Sequence, residues 1–327
     1  STTIKDETPP TISNVELTST ENSVTVTVTA SDSESGIGNY TYALTGGETA
    51  SNQTSNTYTF TGLNSSTTYT ISVTVTDKAN NPTTEGNKTI QTKEPAGIPE
   101  TTSYVGYYAD VDGNGTVDGI IYADMAFSKS GEWGNSNGTY SYTKQSNLKK
   151  YKVEGTYSGK FGNNKGIVKP NGGSGNERFY VMALSDVDSN THKWYNNAYG
   201  NMDDYASTTS INFGTGEQNT INMRAKWNSS DYGSQNSNDM WGLSAVQSGT
   251  WNGSSGWYVP SKQEWAAFGD AFSITSSNYS STFGLSGYYW SSSQYGAYTA
   301  WYAHFNNGCV NDTNVDYNGY VRLGTTF

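Results

Sequence analysis

The stretch SVTVTVTA at residues 23–30 leaves the chain little conformational choice. Strict alternation puts Val24, Val26, Val28 and Ala30 on one side of an extended backbone and hydroxyl residues on the other. A period of two belongs to a strand, and a single apolar face belongs to a half-buried antiparallel one. YTISVTVT repeats the arrangement with Tyr69, Ile71, Val73 and Val75. TISNVEL, NYTYAL, TYTFTGL and NKTIQT read as further short strands. Some six or seven strands in so short a segment predict an all-β sandwich over residues 1–93.

Downstream the pattern changes. EPAGIPE (94–100) has two Pro and a Gly between segments of different composition, and reads as a short, semi-rigid linker. Beyond it, Trp and Tyr become dense and clean alternation stops. That predicts a second domain over 101–327 with short strands and long loops. The chain holds 26 Tyr and 9 Trp. Disordered chains are poor in aromatics, so this one folds, and it leans on amphipathic rings. In VPSKQEWAAFGDAF (259–272), Ser261 and Glu264 match a capping box, and Trp265, Phe268 and Phe272 share one helical stripe. A second helix is predicted within QNTINMRAKWNSSD (218–231), with Ile221, Ala225 and Trp227 inward. Helices amid many short strands make this domain α+β, and the whole chain multidomain.

A net charge of −11 and a pI of about 4.6 argue against nucleic-acid partners and anionic membrane surfaces. FYVMAL (179–184) is about the longest apolar run, far short of the ~20 residues of a membrane span. One Cys and two His leave no intramolecular disulfide and little material for a zinc site. The sequence opens on Ser1, which points to a processed or trimmed chain.

DVDGNGTVDGIIYAD, from Asp110, carries metal-loop chemistry. Asp110, Asp112, Asn114, Gly115 and Asp118 occupy positions one, three, five, six and nine of a calcium loop, and Thr116 would offer its carbonyl at position seven. Position twelve is Ile121 instead of a bidentate Glu, with Asp124 as a substitute. The expectation is a structural calcium ion; the competing reading is an Asx/Gly-rich hairpin turn. No nucleophile elbow, phosphate loop or acid/base carboxylate spacing is present, so no enzymatic activity is expected.

GLNSSTTYTISVTVTDKANN resembles the end of a bacterial Ig-like or fibronectin type III module, with Tyr69 as its tyrosine-corner residue. GWYVPSKQEW followed by YYWSSSQYGAYTAWYAHFNNGCVNDTNVDYNGYVRL resembles the variable proteins of diversity-generating retroelements, and DGIIYAD, NTINMRAKW and NDMWGL extend the likeness over about 105–323. The resemblance implies a C-type lectin fold, close to that of formylglycine-generating enzyme, with a variable region at about 288–322. In such proteins adenine-directed mutagenesis rewrites AAC or AAT codons, which reaches most residue types but not Lys, Glu, Gln, Met or Trp. Between Tyr295 and Gly319 there is no Lys, Glu, Gln or Met, and the only Trp is Trp301.

The likeness also separates scaffold from payload. Trp290, Ser291, Ser292, Ser293, Ala300, Trp301, Phe305, Gly308, Tyr320, Val321 and Arg322 match its fixed positions. Tyr289, Gly296, Tyr298, Thr299, Tyr302, His304, Cys309, Asn311, Asp312, Thr313, Asn314, Asp316, Tyr317, Asn318 and Gly319 are the implied ligand-binding set. Alternation in AWYAHF independently puts Trp301, Ala303 and Phe305 inside and Tyr302 and His304 outside. Tyr with Asn, Ser and Gly is also the chemistry of antibody paratopes. The resulting expectation is a hypervariable receptor-binding protein on a virion tail or bacterial surface. It would bind a protein or glycan receptor and could act as a homo-oligomer. The alternative is a non-diversified, carbohydrate-binding lectin-like domain of a bacterial adhesin. His304 has no catalytic partner in the sequence, and Cys309 lacks the second Cys a formylglycine-generating site needs.

Overall fold

The alternating Val/Thr segments form β1 (Thr11–Ser19), β2 (Ser23–Ser31), β3 (Ile37–Leu44), β4 (Thr49–Gln53), β5 (Thr57–Thr61), β6 (Thr68–Asp77) and β7 (Pro82–Gln91). They make two antiparallel sheets, ordered β1-β2-β5 and β4-β3-β6-β7. Val24, Val26, Val28 and Phe60 from one sheet and Tyr42, Ile71, Val73 and Val75 from the other form the core, all at most 1% exposed. Ala30 is only half-buried, near the end of its stripe. The Tyr69 hydroxyl accepts the Asn64 N–H at 2.9 Å, the tie that marks a tyrosine corner. This first unit is an Ig-like sandwich. Its β4, TASNQ, has too little apolar patterning to be read from sequence.

This computed structural model describes residues 5–159 and 161–327 and divides the chain into two units, Ser1–Gly97 and Ile98–Phe327. The division falls inside EPAGIPE, and both halves of that segment are tied down. Ala96 N–H donates to Glu21 in unit 1, and Ile98 N–H donates to the Tyr151 carbonyl in unit 2.

Unit 2 is built around a six-stranded sheet. Its strands are β8 (Tyr108–Ala109), β9 (Gly119–Asp124), β12 (Tyr151–Gly159), β13 (Gly162–Pro170), β14 (Phe179–Ala183) and β20 (Gly324–Thr326), ordered β12-β13-β8-β9-β14-β20. Every residue of GIIYAD in β9 is buried, as a central strand requires. β10 (Lys129–Glu132) and β11 (Thr139–Tyr142) form a hairpin, as do β15 (Thr250–Trp251) and β16 (Ser254–Ser255). β17 (Tyr288–Gly296), β18 (Thr299–His304) and β19 (Cys309–Asn314) form a separate antiparallel sheet. The helices are α1 (Tyr205–Thr208), α2 (Gly216–Ser229), α3 (Ser244–Ser248) and α4 (Lys262–Ala271). No helix among the described residues is long and apolar enough to cross a membrane.

Large rings fill this core, with Trp194, Trp241, Trp265 and Trp290 all essentially inaccessible. Trp194 Nε1 donates to Ser291 O at 2.8 Å, Trp265 Nε1 to Trp290 O at 3.1 Å and Trp290 Nε1 to His192 O at 2.8 Å. These three indoles meet their polar need on β17 or on the segment beside it.

α4 carries the expected capping box, with Ser261 Oγ accepting Glu264 N–H and Glu264 accepting Ser261 N–H at 2.6 Å. α2 corrects the expectation for its inward face. Ile221 is 43% exposed and Ala225 is exposed, while Asn219, Thr220 and Met223 are buried and Trp227 is half-buried. The reason is the partner surface, which is polar. Asn219 Nδ2 donates to Ser210 O at 2.6 Å and to Ser292 Oγ at 3.2 Å.

Candidate functional site

Strand register assembles the site. Tyr288 pairs with His304, and Trp290 pairs with Tyr302, which in turn faces Asn311; Ala300 pairs with Thr313. Side chains alternate across a sheet, so these residues share one face. Tyr289, Ala303 and Val310 share the other and pack into the core with Phe305. After β19 the chain returns through Asp316–Gly319 beside the first face. The result is a groove of about 320 Å³ lined by Tyr288, Trp290, Tyr302, His304, Thr313, Tyr317, Asn318 and Gly319.

Its walls are stacked rings. Tyr288 lies over His304 with centroids 4.7 Å apart and planes 25° from parallel. Tyr302 meets His304 at 5.4 Å and Trp290 edge-on at 6.1 Å. Burial pushes the Tyr302 phenol up to about 12 and lowers the His304 imidazole below its ordinary value of 6.5. Both rings are therefore neutral at physiological pH, and the groove offers aromatic faces, amides and hydroxyls in place of charge. Such a lining suits shape-matched binding of an uncharged group.

The scaffold beneath is held by hydrogen bonds. β17 bulges between Trp290 and Gln294, and the three serines there are fully buried. Ser291 Oγ donates to Trp301 O at 2.8 Å, Ser293 Oγ donates to Ser210 O at 2.7 Å, and Ser292 N–H donates to Pro260 O at 2.9 Å. Arg322 pairs with Asp186 at 2.6 Å and lies over the Tyr289 ring, 5.3 Å from its centroid. Lys262 lies 4.2 Å from the Trp301 ring centroid.

The expected contact residues are placed in different settings: some are buried, and some lie outside the groove. Tyr289 is fully buried, its hydroxyl donating to Asp186 at 3.1 Å and accepting Ser286 N–H at 2.9 Å. Tyr302 is only 9% exposed: it lines the groove as part of the packed wall and does not stand free. Thr299 and Cys309 are buried, and burial raises the thiol of Cys309. Gly319 lines the groove, but a Cβ there would come within 2.9 Å of the Trp290 ring, so the position is fixed by packing. Tyr298, 48% exposed, lies outside the groove lining and packs against Tyr199 with centroids 5.3 Å apart. Gly296, Asn311, Asp312, Asn314 and Asp316 also fall outside that lining. Asn311 Oδ1 accepts Asp312 N–H at 3.0 Å, and the Asp316 carbonyl accepts from Lys193 Nζ. Tyr288 and Trp290 are wall residues outside the implied contact set. The signal was available: in YYW, one ring is inward and its two neighbours alternate to the other face.

The metal-loop residues separate too. Asp110, Asp112 and Asp118 bring carboxylate oxygens within 4.8 Å of one another. Asp124 does not join them, because it forms a buried pair with Arg178, at 2.8 Å to Nε and 2.9 Å to Nη2. Asn114 is engaged within the loop, its Oδ1 accepting Thr116 N–H at 2.7 Å and its amide donating to Asp112 at 2.9 Å.

No family model matches the chain, and no curated protein matches it significantly. Solved structures do. The PKD1 domain of Vibrio anguillarum Epp is 23% identical, with 28% of this chain and 100% of that one covered, at a TM-score of 0.24. Chitinase ChiA74 from Bacillus thuringiensis is 29% identical, with 28% and 14% covered, at 0.25. A Bacteroides ovatus protein, SGBP-B, solved with a mixed-linkage heptasaccharide, is 13% identical, with 57% and 56% covered, at 0.21.

Proposed function

We propose that unit 2 is a receptor-binding domain of the kind made by diversity-generating retroelements, presenting diversified side chains from a C-type lectin-like scaffold. Its partner would be a protein or glycan on a cell or virus surface. That role places it outside the cell, on a virion tail or a bacterial surface, and assigns it no catalysis. One observation carries the reading: Tyr302, His304, Thr313, Tyr317 and Asn318, all in the implied variable set, line a single groove. Aromatic anchors flanked by adaptable amides and hydroxyls are the chemistry of a paratope. The buried serines and Trp290 beneath them keep the backbone fixed while the face changes. Homo-oligomerisation would multiply contacts that are individually weak.

The test pairs genetics with binding. A reverse-transcriptase gene and a near-copy template repeat beside this gene are expected, with substitutions at adenines. On arrays of glycans and cell-surface proteins, wild type should give hits that Tyr317→Ala/Asn318→Ala weakens by about 30-fold, the equivalent of ~2 kcal/mol. Hits unmoved by that double change would place the binding face elsewhere.

A fixed carbohydrate-binding face is the second reading. It is favoured by Tyr317, whose ring is 57% exposed beside Asn318 and Thr313, a platform with amide and hydroxyl neighbours suited to a sugar ring. Close copies of the gene with no adenine-directed substitutions would select it.

A further inference from the structure

We propose that the loop joining β8 and β9, residues 110–118, binds a calcium ion through Asp110, Asp112 and Asp118. Strand register sets two of these carboxylates face to face. Ala109 pairs with Gly119, so the next cross-strand position puts Asp110 opposite Asp118. Like charges directly opposite each other destabilise a strand pair. Here both are also buried, at 1% and 0% exposure. An uncompensated buried carboxylate is far costlier than an exposed one.

Each of the two has one oxygen satisfied and one orphaned. Asp110 Oδ2 accepts Gly115 N–H at 2.9 Å, and Asp118 Oδ2 accepts Val111 N–H at 2.9 Å. Asp110 Oδ1 and Asp118 Oδ1 are inaccessible and have no hydrogen-bond partner among the described residues. Three basic residues on neighbouring segments are engaged with other acids: Lys169 with Glu154, Lys149 with Glu177, and Arg178 with Asp124. The protein has thus fixed one oxygen of each carboxylate with a hydrogen bond and left the other buried without one.

Asp112 completes the cluster from the solvent side. Its position is held by Asn114, whose backbone N–H donates to Oδ1 at 3.1 Å and whose amide donates to Oδ2. Gly113 and Gly115, at φ of 75° and 93°, supply the left-handed turns that fold the loop back over the carboxylates. Three carboxylates on one short loop, the exposed Asp112 facing water, are the oxygen-rich surroundings that calcium takes; magnesium demands a stricter octahedron. The donor set is narrower than the spacing of a calcium loop suggests, since Asp124 belongs to Arg178.

The full chain, stripped of metal with EDTA, tests this by thermal unfolding and isothermal titration with calcium chloride. Calcium is expected to raise the melting temperature of the wild type, as any ligand of the native state does. Asp118→Asn should melt higher than the wild type in EDTA, because the opposed charge is gone, and should gain nothing from calcium. Asp112→Asn, changed at the exposed member, should fold normally and lose about tenfold or more in calcium affinity. An absence of any calcium response in the wild type overturns the proposal. A response that persists in both variants also overturns it, since the ion would then lie elsewhere.

Discussion

Tyr302 and Tyr317 line one groove but differ in how they are held, and their variants should separate accordingly. Tyr317 is 57% exposed, so Tyr317→Ala is expected to change folding stability by no more than about 0.5 kcal/mol while weakening ligand binding. Tyr302 is 9% exposed and packs on Trp290 and His304. Tyr302→Ala should therefore lose both binding and stability, the latter by a part of the ~3–5 kcal/mol that emptying a large aromatic site costs. Trp290→Ala should lose the full amount, with its hydrogen bond to His192 O. Urea unfolding alongside titration on one array hit measures both quantities. Equal stability losses at Tyr302 and Tyr317 would refute the distinction. The alternation of AWYAHF correctly buries Trp301, Ala303 and Phe305. It cannot say what covers the opposite face, because that cover, Tyr288 and Trp290, arrives from another strand through register. The same limit applies to Asp124, whose partner Arg178 is 54 residues away.

At the scale of elements, α4 was legible and α2 only half so. A capping box is a local signal, and it survives intact in the fold. The buried face of α2 is polar because it docks on the serines of β17, and apolar periodicity cannot report a polar interface. α4 also yields a pH prediction. Glu264 is fully buried and accepts Ser261 N–H and Gly214 N–H, yet burial still lifts its carboxyl from 4.5 to about 7. The folded state then holds this proton more tightly than the unfolded state. By linkage, its contribution to stability is largest at low pH and declines as pH rises from about 4.5 through about 7. Glu264→Gln should remove that slope. The two proteins are expected to differ little at acid pH, with the wild type falling behind above neutrality after correction for the lost cap. Stability curves that run parallel from pH 4.5 to 7.5, on the order of this transition, would show that the carboxylate is fully compensated when ionised.

At the scale of the whole chain, the change from alternating Val/Thr to dense aromatics marks the division into two units, and a Pro/Gly-rich stretch lies where the composition changes. What composition cannot reveal is that this stretch is claimed by the folds on either side. Arg178 is buried, and besides its pair with Asp124 it donates from Nη2 to Thr102 O at 3.0 Å and Pro99 O at 3.2 Å, and from Nη1 to Ile98 O at 3.5 Å. Ile98 also packs against the core of unit 2 and donates its N–H to Tyr151 O at 2.8 Å. A fragment of residues 98–327 keeps every one of these bonds and should fold on its own, with the unfolding transition that unit 2 shows in the full chain. Beginning instead at Thr101, where the second domain starts by composition alone, leaves donors of a buried guanidinium and the Tyr151 carbonyl unmet. Each such loss costs about 1–3 kcal/mol, so the shorter fragment should unfold at clearly lower urea concentration. Its binding by the folded fraction should be unchanged, since the groove is formed by residues 288–319. If the two fragments unfold together, water replaces those carbonyls at no net cost, and residues 98–100 contribute nothing to the fold of unit 2.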